Sequence, residues 1–152
     1  MNRFAQSVVR LLRVAFGFIL AMLAGCAIVL VLDLNKGRVP ELMAGTFIIG
    51  FLAFQSAAFL WPLLLVELAA EVRRWRALAF HLAVGLAGAL GALAYAVVQA
   101  AGEPVDELLG DEPAFTVYRL AIHLAAGLAA GLLYWLIAGR TAGIQFTEGS
   151  KT

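Results

Sequence analysis

The sequence is poor in charge and in cysteine. Only 14% of its 152 residues are charged, against about a quarter in an ordinary soluble domain, while 63% are hydrophobic and the mean hydropathy is +0.93. A chain of this length has no soluble core large enough for so much apolar surface, so a soluble fold is excluded. The net charge of +1 gives no support to a nucleic-acid partner. The lipid bilayer is the expected surrounding.

Motifs for common chemistry are also lacking. The sequence contains no phosphate-binding GxxxxGK[ST], no GxSxG nucleophile turn and no CxxC pair. Four membrane spans of about 20 residues with their connections would use nearly all of the chain, which leaves no room for a soluble catalytic domain. We therefore expect no cofactor and no enzymatic activity.

Long uncharged apolar runs are what the sequence has in abundance. Runs of 19 residues or more as helices reach about 28 Å, close to the thickness of a hydrocarbon core, and a helix satisfies its own backbone groups in lipid. The expected fold is a single all-α membrane domain, a bundle of four transmembrane helices, with Pro62 bending the second and Asp111, Glu112 and Pro113 opening the fourth. The helices are predicted at 14–32, 42–66, 77–98 and 115–138, followed by a tail at 139–152.

The distribution of Lys and Arg predicts the orientation. Short cytoplasmic segments carry an excess of these residues. Eight of them fall in the amino-terminal segment, the second connection and the tail, and three on the opposite side, where the third connection is acidic. Both chain ends are therefore expected in the cytoplasm. The eight are Arg3, Arg10, Arg13, Arg73, Arg74, Arg76, Arg140 and Lys151, and the three are Lys36, Arg38 and Arg119.

The segment Leu23-Ala24-Gly25-Cys26 permits two interpretations. It matches the site at which bacterial lipoprotein precursors are cut and the cysteine is acylated. However, the apolar run continues to Leu32, whereas the apolar part of a signal peptide is usually 7 to 15 residues long. A buried thiol on an uncut helix is the favoured interpretation.

Small residues dominate the third and fourth predicted helices. Such faces allow close helix packing in lipid, because association there depends on close contact and not on the expulsion of water. Packing of the two helices against each other is favoured over a homo-oligomer contact. Within them, 79–87 matches 121–129 at seven of nine positions, which indicates either composition alone or an inverted repeat. The glycines concerned are Gly85, Gly88, Gly91, Gly127 and Gly131.

Two histidines are the ionisable side chains within these apolar runs, which makes them functional candidates. His81 and His123 are expected roughly 15 Å apart in depth, so they cannot share a metal ion directly. A relay or pathway would need groups between them, and Gln55 is one of the few polar residues at mid-depth. Neutral, hydrogen-bonded packing is favoured for both histidines.

Three further ionisable residues lie near predicted helix ends. Glu67 and Glu71 share one helical face at a depth similar to that of His81, which permits a metal site, although interfacial ion pairing of Glu71 with Arg74 is the favoured interpretation. Arg119 faces the acidic third connection, where it could pair with Asp111 or Glu112, or receive an anionic ligand.

The closing segment 133–143, LYWLIAGRTAG, resembles the YWLxAGRxAG ending of small, uncharacterised four-helix inner-membrane proteins of bacteria. This resemblance implies a bacterial inner membrane and the same topology, and no activity. The leading hypothesis is a non-enzymatic accessory or structural subunit that packs with a membrane partner or with itself. The alternative is a small, oligomeric transporter or channel lined by Gln55, His81 and His123, and the third is a membrane-embedded enzyme using Glu67, Glu71 and His81.

Overall fold

Four helices make up the bundle. The computed structural model describes residues 3–34, 36–101 and 113–142, and all the regular structure among them is helical. Each helix is long and apolar enough to cross a membrane. The helices are α1, Arg3–Val29; α2, Leu42–Arg73; α3, Leu78–Ala100; and α4, Val117–Ile137. A π-helical turn, Leu30–Leu34, extends α1, and a 3₁₀ turn, Gly139–Thr141, follows α4.

The helices extend beyond the apolar runs of the sequence. The run predicted at 14–32 belongs to a helix that begins at Arg3 and includes Arg10, and the run at 42–66 belongs to a helix that reaches Arg73 and includes Glu67 and Glu71. Polar residues expected at helix ends are therefore part of the helical bundle. Pro62 lies inside the continuous helix α2, and the bend expected there stays a prediction.

Local sequence explains where the helices end. After the π turn, the Gly37 backbone, at φ +81°, donates to Val31 O at 2.7 Å, closing the helix in a conformation that glycine tolerates well. α4 starts later than the Asp111-Glu112-Pro113 segment: the Thr116 hydroxyl accepts from the Arg119 N–H at 3.1 Å and caps the helix. Asp111 and Glu112 themselves, like the rest of the acidic third connection, lie outside the described residues.

The closest packing is between α3 and α4, which run antiparallel. A methyl group added at Gly127 would lie 2.7 Å from Gly85 O, and one added at Gly131 would lie 2.5 Å from His81 O. Only hydrogen fits at such a crossing, as expected for small-residue helix contacts. Gly88 instead faces Leu63 of α2, and Gly91 has open space around it.

α1 also packs antiparallel on α4, whereas α2 lies at the outside of the bundle. Residues of α1 and α4 form the core: Val14, Ala21, Tyr134 and Ala138 are buried together, with Leu64 and Leu68 of α2 packed against them. The most apolar stretch of α2 is only 6% buried, against 17–33% in the other three helices. An apolar surface this exposed is the pattern of a helix that faces lipid.

Two ends of the bundle can be distinguished. Arg10 contacts Glu71 and Thr141, so the beginning of α1, the end of α2 and the end of α4 lie at one end, here called the basal end. Arg119 contacts Asp33 at the opposite end, here called the distal end. α1 begins at the basal end, and α4 ends there.

Candidate functional site

A cavity of about 430 Å³ lies between the four helices. This volume is within the range of small-molecule sites in proteins. Its wall is mostly apolar, and the polar side chains are few and spread over its length. Glu67, His81 and Tyr134 lie toward the basal end, Cys26, Gln55 and Ser56 lie along the middle, and Asp33, Arg119 and His123 lie toward the distal end. Tyr95 and Gln99 also line the cavity on the distal half of α3, where Gln99 Nε2 donates to the Tyr95 hydroxyl at 2.8 Å.

The basal end of the cavity is formed by a buried carboxylate–imidazole pair. Glu67 Oε2 lies 2.8 Å from His81 Nδ1, and the two side chains are 3% and 1% exposed. The second ring nitrogen, Nε2, lies 3.3 Å from Trp75 O. A carbonyl oxygen only accepts, so Nε2 carries a hydrogen. One further proton is then shared between His81 and Glu67, and the pair is neutral as a whole.

Below this pair, an ion-pair network joins three helices. The Arg10 guanidinium of α1 binds both carboxylate oxygens of Glu71 on α2, and it also donates to Thr141 after α4. Bidentate binding of this kind fixes geometry as well as charge. The Arg76 side chain donates from Nε to Ala142 O at 2.7 Å. The backbone carbonyl of Arg76 accepts a hydrogen bond from Trp135 Nε1 at 2.9 Å. These two bonds join the second connection to α4 and to the segment that follows it.

The distal end is held by a second ion pair. Arg119 Nε on α4 donates to Asp33 Oδ1 at 3.1 Å, and Asp33 is 5% exposed. Asp33 lies in the π-helical turn that ends α1. Tyr118 donates to Leu32 O at 3.1 Å beside it. The two helices are thus joined by charge at this end. Asp111 and Glu112, the partners expected for Arg119, lie outside the described residues, so that pairing stays a prediction.

His123 lies one helical turn from Arg119 and has a different environment from His81. Its Nδ1 donates to Arg119 O at 2.8 Å on the same helix, and the side chain is 8% exposed. The two histidines occupy equivalent positions of the matching segments 79–87 and 121–129, and the equivalent glycines Gly85 and Gly127 face each other across the helix pair. Despite that correspondence, His81 has a carboxylate partner and His123 has none in the described part of the chain.

The structure brings the predicted site residues together only in part. Glu67 and His81 meet, as their similar depth indicated, while Glu71 is turned toward Arg10. In the described ranges, no three His, Cys, Asp or Glu side chains converge on a point that could hold a metal ion. Gln55, His81 and His123 all contribute to the cavity wall, and the hydrogen bonds of the two histidines go to Glu67, Trp75 and Arg119.

Sequence reasoning missed two members of this site. Asp33 directly follows an apolar run, a pattern that indicates a loop residue. The π turn instead places it inside the bundle, where it pairs with Arg119. Tyr134 lies in the last turn of α4, yet it is only 4% exposed, and its ring lies 5.3 Å from the His81 ring, centroid to centroid. The antiparallel order of the first and fourth helices was the signal that could have placed Asp33 near Arg119.

No protein-family model, curated protein or solved structure matches the chain.

Proposed function

We propose that this chain is a non-enzymatic, multi-pass protein of the bacterial inner membrane that binds a small, largely apolar molecule in the cavity between its helices and acts as a carrier or small transporter. The observation that carries this proposal is the cavity itself, which all four helices line and which has polar groups at both ends. A bundle whose only task is packing has no need of such a space, because protein interiors are normally filled to high density.

The orientation belongs to the same proposal. Both chain ends are placed in the cytoplasm because the basal end carries the larger share of Lys and Arg, including the Arg73, Arg74 and Arg76 connection. The basal ion-pair network then faces the cytoplasm, and the Asp33–Arg119 pair faces the outside. The cavity lies between two sets of charged contacts and is only partly enclosed by the helices, which suits a molecule that enters and leaves.

Accessory packing with another membrane protein is the second candidate function. The observation that favours it is the low burial of α2, with Phe47 and Phe54 79% and 78% exposed. The glycine faces that first suggested it are a weaker argument, because Gly85, Gly127 and Gly131 are used between α3 and α4 within one chain. A partner would have to bind α2, and lipid alone would cover the same surface.

Blocking the cavity tests the proposal. Ser56 lies on the cavity wall, and Ser56→Phe adds a ring to that space, whereas Gly50→Phe adds the same ring at a position of α2 with nothing around it. The protein is purified in mild detergent, and bound small molecules are released and identified by mass spectrometry. We expect a hydrophobic molecule in near-stoichiometric amount with the unmodified chain and with Gly50→Phe, and a loss of about tenfold or more with Ser56→Phe.

The same preparation separates the two candidates. A stoichiometric membrane-protein partner that is lost with Gly50→Phe and not with Ser56→Phe would favour the accessory role. If no small molecule is retained by any of the three proteins and the partner is present, the carrier proposal is wrong.

A further inference from the structure

The unused nitrogen of His123 defines the chemistry of the ligand. His123 borders the cavity, and in the described part of the chain Nδ1 is its only ring nitrogen with a partner. Among the described residues, every fully enclosed side-chain nitrogen or oxygen has a hydrogen-bond partner. Nε2 is therefore not sealed in protein, and the open space that His123 borders is the cavity. Polar atoms on side chains more than nine-tenths buried normally have a hydrogen-bond partner, and a molecule bound in the cavity can supply one to Nε2.

The partner of Nδ1 determines what Nε2 can do. Nδ1 lies 2.8 Å from a backbone carbonyl oxygen, which can only accept, so Nδ1 carries the hydrogen. In the neutral ring the second nitrogen then presents a lone pair. His123 Nε2 is a hydrogen-bond acceptor, and the group that meets it must be a donor. His81 differs, because both of its ring nitrogens are already engaged.

The charges of the described residues around the cavity favour an uncharged ligand over an ionic one. Asp33 neutralises Arg119 at the distal end, and Glu67 and His81 are neutral as a pair at the basal end. Among the described residues, no further charged side chain of the cavity wall offers a counter-charge to a molecule placed between them, and an uncompensated charge in an apolar space is costly. The remaining wall is largely apolar and suits hydrocarbon.

We infer that the cavity binds an uncharged, largely apolar molecule bearing a hydroxyl group, an alcohol or a phenol, whose O–H donates to His123 Nε2. This inference rests on the proposed function and names the ligand class for it. An aliphatic amine is a poorer candidate, because it would bring a positive charge. The hydroxyl lies at the distal end beside Arg119, and the apolar body extends toward Gln55 and Ser56.

A pair of probes that differ only in the donor tests this assignment. 4-Octylphenol and its methyl ether, 4-octylanisole, have the same apolar body, and only the phenol has an O–H. Cys26 lies on the cavity wall and is the only cysteine of the chain, so the rate of its alkylation by N-ethylmaleimide reports occupancy of the cavity. The chain is reconstituted in lipid nanodiscs, and probe concentrations are expressed per mole of lipid.

We expect the phenol to half-protect Cys26 at a concentration about tenfold lower than the ether, as one hydrogen bond in an apolar site provides. His123→Leu should reduce this ratio to near one. Tyr118→Phe removes a hydroxyl at the same end outside the cavity and should leave the ratio unchanged. Because the ratio is compared between variants, different partitioning of the two probes into lipid cancels.

The outcomes distinguish this inference from the proposed function. Equal protection by both probes in the unmodified chain overturns the assignment of His123 and leaves the cavity as a binding site. A preference for the phenol that survives His123→Leu but disappears in Glu67→Gln also overturns it, because the hydroxyl would then bind at the basal end. Protection by neither probe, with the Ser56→Phe experiment also negative, removes the proposed function as well. If His123→Leu fails to fold, His123→Phe, which keeps an aromatic ring without a ring nitrogen, supplies the same comparison of ratios.

Discussion

At the scale of single residues, the pair formed by Glu67 and His81 should be strongly coupled. Each side chain is almost completely buried, and each is the other's hydrogen-bond partner at 2.8 Å. Glu67→Leu or His81→Leu leaves one polar group without that partner, which should lower the free energy of unfolding by about 3 kcal/mol. The double variant removes both groups, so its loss should be clearly smaller than the sum of the two single losses.

The coupling is measured by titrating each of the four proteins from mild detergent micelles into sodium dodecyl sulfate and following helix content. Glu71→Leu with His81→Leu serves as the comparison, since Glu71 binds Arg10 and not His81. Losses that add fully for Glu67 and His81 would contradict the pairing.

The sequence could not predict which charged side chains pair with each other. The similar depth of Glu67 and His81 followed from counting along two neighbouring helices. The contacts of Arg10 with Glu71 and of Asp33 with Arg119 depend on helical extension beyond the apolar runs and on helix rotation. Neither is set by hydropathy, because a charged residue ends an apolar run whether or not the helix continues.

At the scale of helices, the α3–α4 contact should tolerate no side chain at its crossing. Gly127→Ala places a methyl group 2.7 Å from Gly85 O and 2.9 Å from Ala89 Cβ, and the backbone of the facing helix would have to move. We expect a loss of about 1–3 kcal/mol in the free energy of unfolding, as for other overpacked sites. The measurement is the same detergent titration.

Gly91→Ala is the matched control for this prediction. Gly91 is on α3 as well, but its position has nothing within 4 Å. Alanine there should be neutral or stabilising by up to about 1 kcal/mol, because glycine is the poorer helix former. Equal losses for Gly127→Ala and Gly91→Ala would show that the crossing is not where the structure places it.

The glycine pattern indicated which two helices pack closely, but not which glycines meet. All five glycines lie on two helices rich in small residues. Residues three or four positions apart lie on the same face of a helix, so the spacing alone allows any of these glycines to be at the contact. The rotation of each helix about its axis decides the rest. It places Gly85 against Gly127 and turns Gly91 toward open space.

At the scale of the whole molecule, the helix count and the apolar character were predictable, while the cavity was not. Length and hydropathy give four helices directly. The cavity results from unequal packing, since α3 and α4 meet closely at glycines while α2 lies farther out, with its most apolar stretch only 6% buried. No local pattern in the sequence encodes such a space, because it depends on the relative positions of four helices at once.

Orientation in the membrane is the last prediction, and two matched positions on opposite ends test it. Val39 precedes α2 at the distal end and is 84% exposed, and Val72 lies near the end of α2 at the basal end and is 82% exposed. Each is replaced by cysteine in a Cys26→Ser chain, so that every variant has one thiol. Intact bacterial spheroplasts are then treated with a membrane-impermeant maleimide.

Val39→Cys should be labelled in intact spheroplasts, and Val72→Cys only after the membrane is permeabilised, because the excess of Lys and Arg keeps the basal end in the cytoplasm. The Cys26→Ser chain without a new cysteine gives the background. Labelling of Val72→Cys alone from outside would reverse the orientation and place the Asp33–Arg119 pair toward the cytoplasm. His123 would then lie at the cytoplasmic end of the cavity, and a hydroxyl-bearing ligand would meet its acceptor from that side.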